Sequence, residues 1–296
     1  MTLKYAMPKG LHVYADGSWQ GLDLAKIERL MAAVPIAGVC VRGPSQRGRG
    51  PGADMAQPRP TKRQIEWARS AREQLGLSVG FFRWPVPLTD GHDRDNPIHE
   101  AGEDWADKLG AEYVVDDCEP EWFGMHRDAE EFTSAAMAGI GQEIPVIVSI
   151  LRNWRPSVVP VEAFAQAHGI NVQGYCNSPS DGLVRRGKKG NRVLVNGEQN
   201  LEQYAAQVVQ WVEESLKQST PDVSVAVRAY RAGAERRAKI AWDDARVRRY
   251  LATAPRRSLA FVWSLRQLMA WTGTWNAFGA WWRGELEGEP TLSLPY

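Results

Sequence analysis

Short apolar runs alternate with longer amphipathic stretches along the whole chain. The short runs are rich in β-branched and aromatic residues and have the length of buried strands. The longer stretches carry apolar residues three and four positions apart, as one face of a helix does. Eight strands are predicted, at 10–16, 36–42, 77–84, 111–117, 144–150, 169–175, 222–228 and 259–263. The alternation favours a parallel sheet, and the number eight predicts one single-domain (β/α)8 TIM barrel over residues 1–296.

Capping signals mark the beginnings of several helices. Thr61 and Gln64 have the spacing of a capping box, and Asn96 with Pro97 supplies a cap followed by a first-turn proline. No glycine-rich phosphate-binding fingerprint follows the first strand, which disfavours an open dinucleotide-binding sheet. The other predicted helices lie at 23–34, 129–140, 161–168, 235–252 and 269–282.

One segment interrupts the strand and helix alternation after the sixth strand. Residues 183–195 contain two β-rich arms around a turn of glycines and lysines, which predicts an inserted β-hairpin. The hairpin is basic, so it either borders an active-site cleft, contacts a partner, or is a solvated surface feature. The sequence leaves these alternatives open.

Charge and composition exclude several classes of protein. The net charge is +1, without the basic excess of a dedicated nucleic-acid binder, and no run approaches the ~20 apolar residues of a membrane span. The first residues lack the apolar core of a signal peptide, so we expect synthesis in the cytoplasm. Cys40, Cys118 and Cys176 are expected to be reduced thiols in apolar surroundings. The five histidines show no metal-binding spacing, so no metal and no cofactor are expected.

The strongest candidate for chemistry lies where the fourth strand ends. Strand side chains alternate between faces, so Asp117 and Glu119 share one face while Asp116 and Cys118 share the other. Barrel active sites form at this end of the strands. When two carboxyl groups lie close together, repulsion between their charges raises the pKa of one of them. One group then stays protonated as an acid while the other is an anion. Glycoside hydrolysis needs this combination.

Aromatic and polar residues near the other strand ends are candidates for binding substrate. The chain has 13 tryptophans, a number that suits a protein on which sugar rings stack. Trp271, Trp275, Trp281 and Trp282, in contrast, are expected to pack inwards from the last helix. The candidate substrate-binding residues are Asp16, Trp19, Arg83, Trp84, Trp122, Tyr175, Asn177, Arg228, Tyr230 and Trp263.

Several short motifs resemble those of the glycoside hydrolase family 25 lysozymes and related bacterial and phage barrels. They are the Trp19-Gln20-Gly21 turn, the 81–85 segment of aromatics and proline, Asp117-Cys118-Glu119, and the Pro-Val-Ile start of the fifth strand at 145–147. The resemblance implies that Glu119 is the general acid/base. It implies that Asp117 stabilises the transition state or orients the substrate N-acetyl group. The implied reaction is cleavage of peptidoglycan, a polysaccharide, at the β-1,4 bond after N-acetylmuramic acid.

The chain departs from the family at two places. His12 stands where the family has an acid in the first strand, and Gln267 and Asn276 stand where a further acid is usual near the last strand. A non-catalytic barrel therefore stays open as an alternative, either binding glycan or serving as a structural module of a phage or secretion-type particle. Its partners would then include particle or virion proteins. A glycosidase for another glycan, such as a capsule polysaccharide, also stays open.

Overall fold

Eight parallel strands close into a ring in the computed structural model. It describes residues 6–15, 22–47, 54–88, 93–151, 156–174, 184–186, 192–194, 198–216, 221–229 and 242–286. The strands are Gly10–Ala15 (β1), Ile36–Arg47 (β2), Asp54–Ala56 (β3), Ser78–Trp84 (β4), Val114–Cys118 (β5), Val146–Ile150 (β6), Gly169–Gln173 (β7), Val184–Arg186 (β8), Arg192–Leu194 (β9), Asp222–Arg228 (β10) and Leu259–Trp263 (β11).

Helices follow the barrel strands and pack outside them. They are Leu24–Met31 (α1), Lys62–Leu75 (α2), Ile98–Leu109 (α3), His126–Ala138 (α4), Val161–Phe164 (α5), Glu198–Leu216 (α6), Asp244–Thr253 (α7), Leu265–Ala270 (α8) and Trp275–Arg283 (α9). None of the helices in the described residues is both long and apolar enough to cross a membrane.

The order of strands confirms the predicted (β/α)8 barrel. Around the ring the order is β1, β2, β4, β5, β6, β7, β10, β11 and back to β1, and every one of these pairings is parallel. β8 and β9 pair with each other in an antiparallel ribbon, which confirms the hairpin inserted after the sixth barrel strand. Because all ring strands are parallel, their carboxyl ends meet at one mouth of the barrel.

β3 lies outside the ring and was not predicted. The predicted second strand ends at residue 42. In the structure β2 continues to Arg47 and pairs with β3 in antiparallel fashion, with Ser45 opposite Ala56. Glycine and proline interrupt the period of two in this segment, so its sequence carries no clear strand signal.

The barrel has two apolar layers. A large outer core lies between the strands and the helices, and a smaller inner core fills the ring. Layers of inward side chains of this kind are the usual filling of eight-stranded barrels. The inner core consists of Tyr14, Cys40, Phe82, Tyr113, Val115, Ile147, Ala226, Leu259 and Phe261.

Local signals determine where α2 begins. The Thr61 hydroxyl accepts a hydrogen bond from the Gln64 backbone nitrogen at 3.3 Å, and the Gln64 side chain accepts one from the Thr61 nitrogen at 2.7 Å. This confirms the predicted capping box. α2 ends at Leu75, and the residue that caps it is Gly76, whose φ of 65° lies in the left-handed region.

The carboxyl-terminal helix differs from its prediction. A single helix was expected at 269–282, whereas the chain forms α8, a short 3₁₀ turn at Thr272–Thr274, and α9. Trp281 is buried and donates to the Ala254 carbonyl at 3.0 Å. Trp271 lies at the break and is 41% exposed, so the expectation that it packs inwards is wrong.

Candidate active site

The end of β5 places two carboxyl groups towards the inside of the barrel. Tyr113 and Val115 belong to the inner core, and Asp117 follows on the same face. The backbone at Glu119 is still extended, with φ −94° and ψ −165°, so the alternation of faces continues for two more residues. Asp117 is 5% exposed and Glu119 is half-buried. The two predicted carboxyl groups therefore share the inner face at the mouth.

Asp117 is held by side chains from the next two strands. Gln173 donates from Nε2 to Asp117 Oδ1 at 2.7 Å and to Ser149 Oγ at 3.2 Å. Burial raises the pKa of Asp117 well above its usual value, and the charge of Glu119 raises it further, while a hydrogen bond from Ser149 acts in the opposite direction. One carboxyl of the pair consequently keeps a proton at a pH where an exposed aspartate has lost its own.

Below this pair, the barrel floor is polar but uncharged. Tyr14 donates from its hydroxyl to Asn171 Oδ1 at 3.4 Å, and Asn171 donates from Nδ2 to Ser224 Oγ at 3.0 Å. Tyr14 also stacks on Phe261 with ring centroids 5.0 Å apart. These neutral partners supply hydrogen bonds to the floor without adding charge.

His12 occupies the first strand deeper in the barrel. Its Nε2 faces the Lys9 carbonyl at 3.2 Å, and its Nδ1 lies 2.7 Å from the Tyr113 hydroxyl. Because a carbonyl can only accept, Nε2 carries the proton and Nδ1 accepts from Tyr113. Burial lowers the pKa of His12 to about 4, so the ring is neutral at neutral pH. The first strand thus offers no charge at this position.

Aromatic rings form one wall of the mouth. Trp263 is half-buried, and its ring centroid lies 4.9 Å from that of Tyr14 and 5.7 Å from that of Phe82. Trp84 is also half-buried and follows Phe82 on the same face of β4. The structure therefore brings these two predicted residues to the mouth, where flat apolar surfaces suit the face of a sugar ring.

Two other predicted residues do not line the mouth. Arg83 is fully buried on the outer face of the barrel, where it pairs with Asp116 and donates to the Ile98 carbonyl at 3.0 Å. Trp122 is buried among helices and donates to the Pro85 carbonyl at 3.0 Å. The expectation that either binds substrate is corrected, because both side chains satisfy internal partners in the outer layer.

Arg228 is on the inner face of its strand, but its guanidinium packs against aromatic rings. It follows Ser224 and Ala226 on the inner face of β10, but its guanidinium lies over the rings of Trp242 and Tyr250, 4.6 and 4.8 Å from their centroids. It is buried and forms part of the wall. The remaining predicted binding residues lie outside the described residues: Asp16, Trp19, Tyr175, Asn177 and Tyr230.

The residues that surround Asp117 were not among the predicted site residues. Ser149 is opposite Asp117 in the β5–β6 register, and Asn171 is opposite Ser149 in the β6–β7 register. Gln173 and Tyr14 complete the group. The available signal was the position of polar residues on neighbouring strands at one level, but that signal requires the strand register.

Metal-binding residues do not gather in the part of the chain that the structure describes. No three or more of its histidines, cysteines, aspartates and glutamates are grouped so that they could hold a metal ion. Cys40 and Cys118 are buried free thiols, as expected. Burial raises the pKa of both, so neither is a ready nucleophile.

Known proteins share the fold of this chain at low sequence identity. No protein-family model and no curated protein matches the chain. Solved structures do match. The barrel shares its fold with family 18 chitinases. These neighbours agree with the predicted glycoside-hydrolase-like barrel, although they are not of family 25.

Three solved structures illustrate the likeness. A chitinase from Chromobacterium violaceum has a TM-score of 0.62 at 12% identity over 92% of this chain and 98% of its own. The spore cortex-lytic enzyme of Bacillus cereus has 0.56 at 11% over 91% and 73%. A xylanase and α-amylase inhibitor protein from Scadoxus multiflorus has 0.51 at 14% over 95% and 100%. Identities this low establish a shared fold, and both enzymes and an inhibitor have it.

Proposed function

We propose that this protein is a glycoside hydrolase acting on a glycan of N-acetylated sugars, with Glu119 as general acid/base and Asp117 as the group that orients and stabilises. The observation that carries the proposal is the carboxyl pair at the mouth. Asp117 is buried on the inner face with hydrogen bonds from Gln173 and Ser149, and Glu119 is next to it on the same face, closer to solvent.

The two environments divide the roles between the carboxyl groups. Glu119 is the more exposed, so it can reach the glycosidic oxygen and protonate the leaving sugar. Asp117 Oδ1 accepts from Gln173, and in this proposal the Asp117 carboxyl also contacts the acetamide of the reacting sugar. A protonated Oδ2 would donate a hydrogen bond to the acetamide, whereas an ionised Oδ2 would accept one from the acetamide N–H. Because its pKa is raised, Asp117 keeps its proton at a pH where an exposed aspartate is already ionised.

A substrate-assisted mechanism fits this pair. The acetamide oxygen of the reacting sugar attacks the anomeric carbon of the same sugar as the bond to the leaving glycosidic oxygen breaks. Glu119 gives its proton to the leaving glycosidic oxygen. Glu119 then takes a proton from a water molecule as the water oxygen attacks the anomeric carbon. The bond to the acetamide oxygen breaks, the cyclic intermediate opens, and the product has the original anomeric configuration. Family 18 enzymes are among those for which substrate assistance replaces a protein nucleophile.

For the glycan itself we propose peptidoglycan, cut at the β-1,4 bond after N-acetylmuramic acid. Two considerations support this choice. The motifs at Trp19, Asp117 and Glu119 resemble those of family 25 lysozymes. One protein of the same fold is a spore cortex-lytic enzyme. The enzyme would be made in the cytoplasm and reach the wall as part of a phage particle or by lysis.

A non-catalytic glycan-binding or particle-associated barrel is the second candidate. One observation in its favour is His12, which is neutral where the family 25 lysozymes have an acid. Another is Val115, which lies on the inner face two residues before Asp117 and offers only an apolar side chain there. A protein with the same fold is an inhibitor of enzymes. In this case the mouth would bind sugar but leave the glycosidic bond intact.

The test measures new reducing ends released from purified peptidoglycan and from glycol chitin. We compare wild type with Glu119→Gln, Asp117→Asn and the control Glu130→Gln, which removes an exposed carboxylate on α4. Loss of a general acid should lower the rate by about 10²–10⁴-fold, with the control unchanged. Equal release by wild type and Glu119→Gln on both glycans would refute the proposal.

The same digest identifies the bond. After borohydride reduction of the products, reduced muramic acid at the new ends indicates cleavage after N-acetylmuramic acid, and reduced glucosamine indicates the other bond. Sedimentation of the protein with wall material that it does not cut would support the second candidate.

A further inference from the structure

Gln173 reaches the carboxyl pair from two strands away. It is the last residue of β7 and pairs with Ala226 of β10, whose side chain belongs to the inner core, so the Gln173 side chain is also on the inner face. The Gly174 nitrogen donates to the Ala226 carbonyl at 2.8 Å, which holds the backbone in place directly after Gln173. Gln173 is 2% exposed. Its side chain is therefore buried within the mouth.

The side chain of Gln173 crosses β6 to reach Asp117. Neighbouring strands lie about 4.8 Å apart, so the backbones of β5 and β7 are about 10 Å apart. In the strand register, Asp117 is level with Ser149, and Ser149 is level with Asn171, which precedes Gln173 on the same face of β7. Gln173 thus starts nearer the mouth than Asp117 and extends back over β6. Only a long side chain spans this distance.

Both protons of the Gln173 amide are used inside the site. Nε2 donates to Asp117 Oδ1 at 2.7 Å and to Ser149 Oγ at 3.2 Å. A side-chain amide nitrogen carries two protons, so these two contacts use all its donors. The contact with Ser149 fixes the plane of the amide, and that plane sets the direction of the bond to Asp117. Side chains from β6 and β7 together hold one carboxyl group of β5.

The Gln173 amide carries no charge that changes with pH, so it donates to Asp117 at any pH. Donation to a carboxylate oxygen favours the charged form of the acid. It therefore acts against burial and against the charge of Glu119, which both raise the pKa of Asp117. When Asp117 is protonated, the same N–H can still donate to the carbonyl oxygen of the acid. The contact is compatible with both protonation states of Asp117.

We propose that Gln173 is a positioning residue, which holds the Asp117 carboxyl in one orientation in both its protonated and its ionised form. The inference rests on the proposed glycosidase function and adds to it the residue that keeps Asp117 aligned with the acetamide of the reacting sugar. Gln173 acts through Asp117 and has no contact with the reacting atoms in this scheme. A glutamine with a merely structural role would affect the stability of the fold and leave the acidity of Asp117 unchanged.

The first readout needs no substrate. The carboxyl carbon of Asp117 is followed by NMR in protein with isotope-labelled aspartate, and Asp117→Asn identifies its signal. A Glu119→Gln background removes the coupled titration of the neighbouring carboxyl. Gln173→Leu removes both N–H donors, so it should raise the titration midpoint of Asp117 by about one to two pH units. The control Gln207→Leu, which removes a buried glutamine of α6, should leave the midpoint unchanged.

The second readout is the release of reducing ends from peptidoglycan and glycol chitin, with Glu119 intact. Gln173→Leu should lower kcat by about 10- to 100-fold and change KM far less, because a misplaced catalytic group slows the chemical step more than it weakens binding. Gln207→Leu should keep the kcat of wild type. The urea midpoint of each variant, followed by circular dichroism, separates these effects from a loss of stability.

Gln173→Glu tests the amide itself, because it keeps the length of the side chain and replaces the donor by a carboxyl. Two carboxyl groups in contact share a proton at acid pH and repel each other once both are ionised. The kcat of Gln173→Glu relative to wild type should therefore fall as the pH rises from about 4 to about 8. A ratio that is constant over this range would contradict the inference.

An unchanged midpoint of Asp117 in Gln173→Leu would overturn the inference, as would a variant whose only defect is lower stability. If Gln173→Leu does not fold, Gln173→Glu serves for both readouts, and its Asp117 signal should then titrate in two steps instead of one. A shifted midpoint in a protein that hydrolyses neither glycan would uphold the control of Asp117 by Gln173 and reject the proposed glycosidase.

Discussion

The buried ion pair between Arg83 and Asp116 allows a quantitative prediction of stability. Both side chains are fully buried between β4, β5 and α3. Arg83 Nη2 donates to Asp116 Oδ2 at 3.1 Å, and its Nε donates to the other carboxylate oxygen. Gly102 of α3 makes this possible, because a Cβ there would lie 2.5 Å from Arg83 Nη1. Asp116→Asn keeps the size of the side chain and removes its charge, leaving the guanidinium buried without a counter-ion.

The expected cost follows from that geometry. Removing one partner of a buried, hydrogen-bonded pair costs about 3–5 kcal/mol. At about 2.1 cal/mol/K of unfolding entropy per residue, a chain of 296 residues loses roughly 1.6 °C of Tm for each kcal/mol. Asp116→Asn should therefore lower Tm by about 5–8 °C and shift the urea midpoint accordingly. Urea titration followed by circular dichroism measures the free energy of unfolding.

A double variant separates the cost of an orphaned charge from the contribution of the pair. Arg83→Met with Asp116→Leu replaces both charges by apolar side chains, and such replacements of buried pairs are often neutral or stabilising. It should therefore be more stable than Asp116→Asn alone. Glu131→Gln, which breaks the pair between the exposed Arg127 and the half-buried Glu131, should cost less than about 1 kcal/mol. A loss below 1 kcal/mol in Asp116→Asn, or a double variant no more stable than the single one, would refute this reasoning.

Three further predictions concern the inner face. The pKa of His12 is lowered to about 4 by burial, so stability is lost as the pH falls from about 6.5 towards 4. His12→Asn should remove up to about 3 kcal/mol of that loss in urea titrations. The pKa of Asp117 is raised, so folding stability falls as the pH rises above the unfolded value near 4, and Asp117→Asn should stabilise the protein more at pH 8 than at pH 4. Gly80→Ala would place a Cβ 2.4 Å from the Tyr113 ring and should cost about 1–3 kcal/mol, measured in the same way.

Each of these has a contrary result that is easy to recognise. An unchanged acid slope in His12→Asn would mean that the ring is not buried in its neutral form. An effect of Asp117→Asn that is equal at both pH values would mean that its carboxyl has an ordinary pKa. Full stability of Gly80→Ala would mean that the Tyr113 ring can move aside at little cost.

Local patterns in the sequence predicted most of the scaffold. The eight strands, the capping box at Thr61 and the hairpin after the sixth strand all depend on residues a few positions apart, and all were confirmed. Tryptophan spacing alone was less informative. It assigned Trp271 and Trp281 to one inward stripe, but a short 3₁₀ turn between α8 and α9 separates them and leaves Trp271 exposed.

The sequence by itself determined that Asp117 and Glu119 share a face, because the period of two in a strand is a local property of the backbone. Only the tertiary structure decided what surrounds them. Barrel closure fixes the register between strands, and that register brings Ser149 and Gln173 to Asp117 from residues far away in the chain. It also decided that Arg83 pairs with Asp116 in the outer layer. Which charged groups are desolvated together depends on long-range packing, and no local pattern in the sequence encodes it.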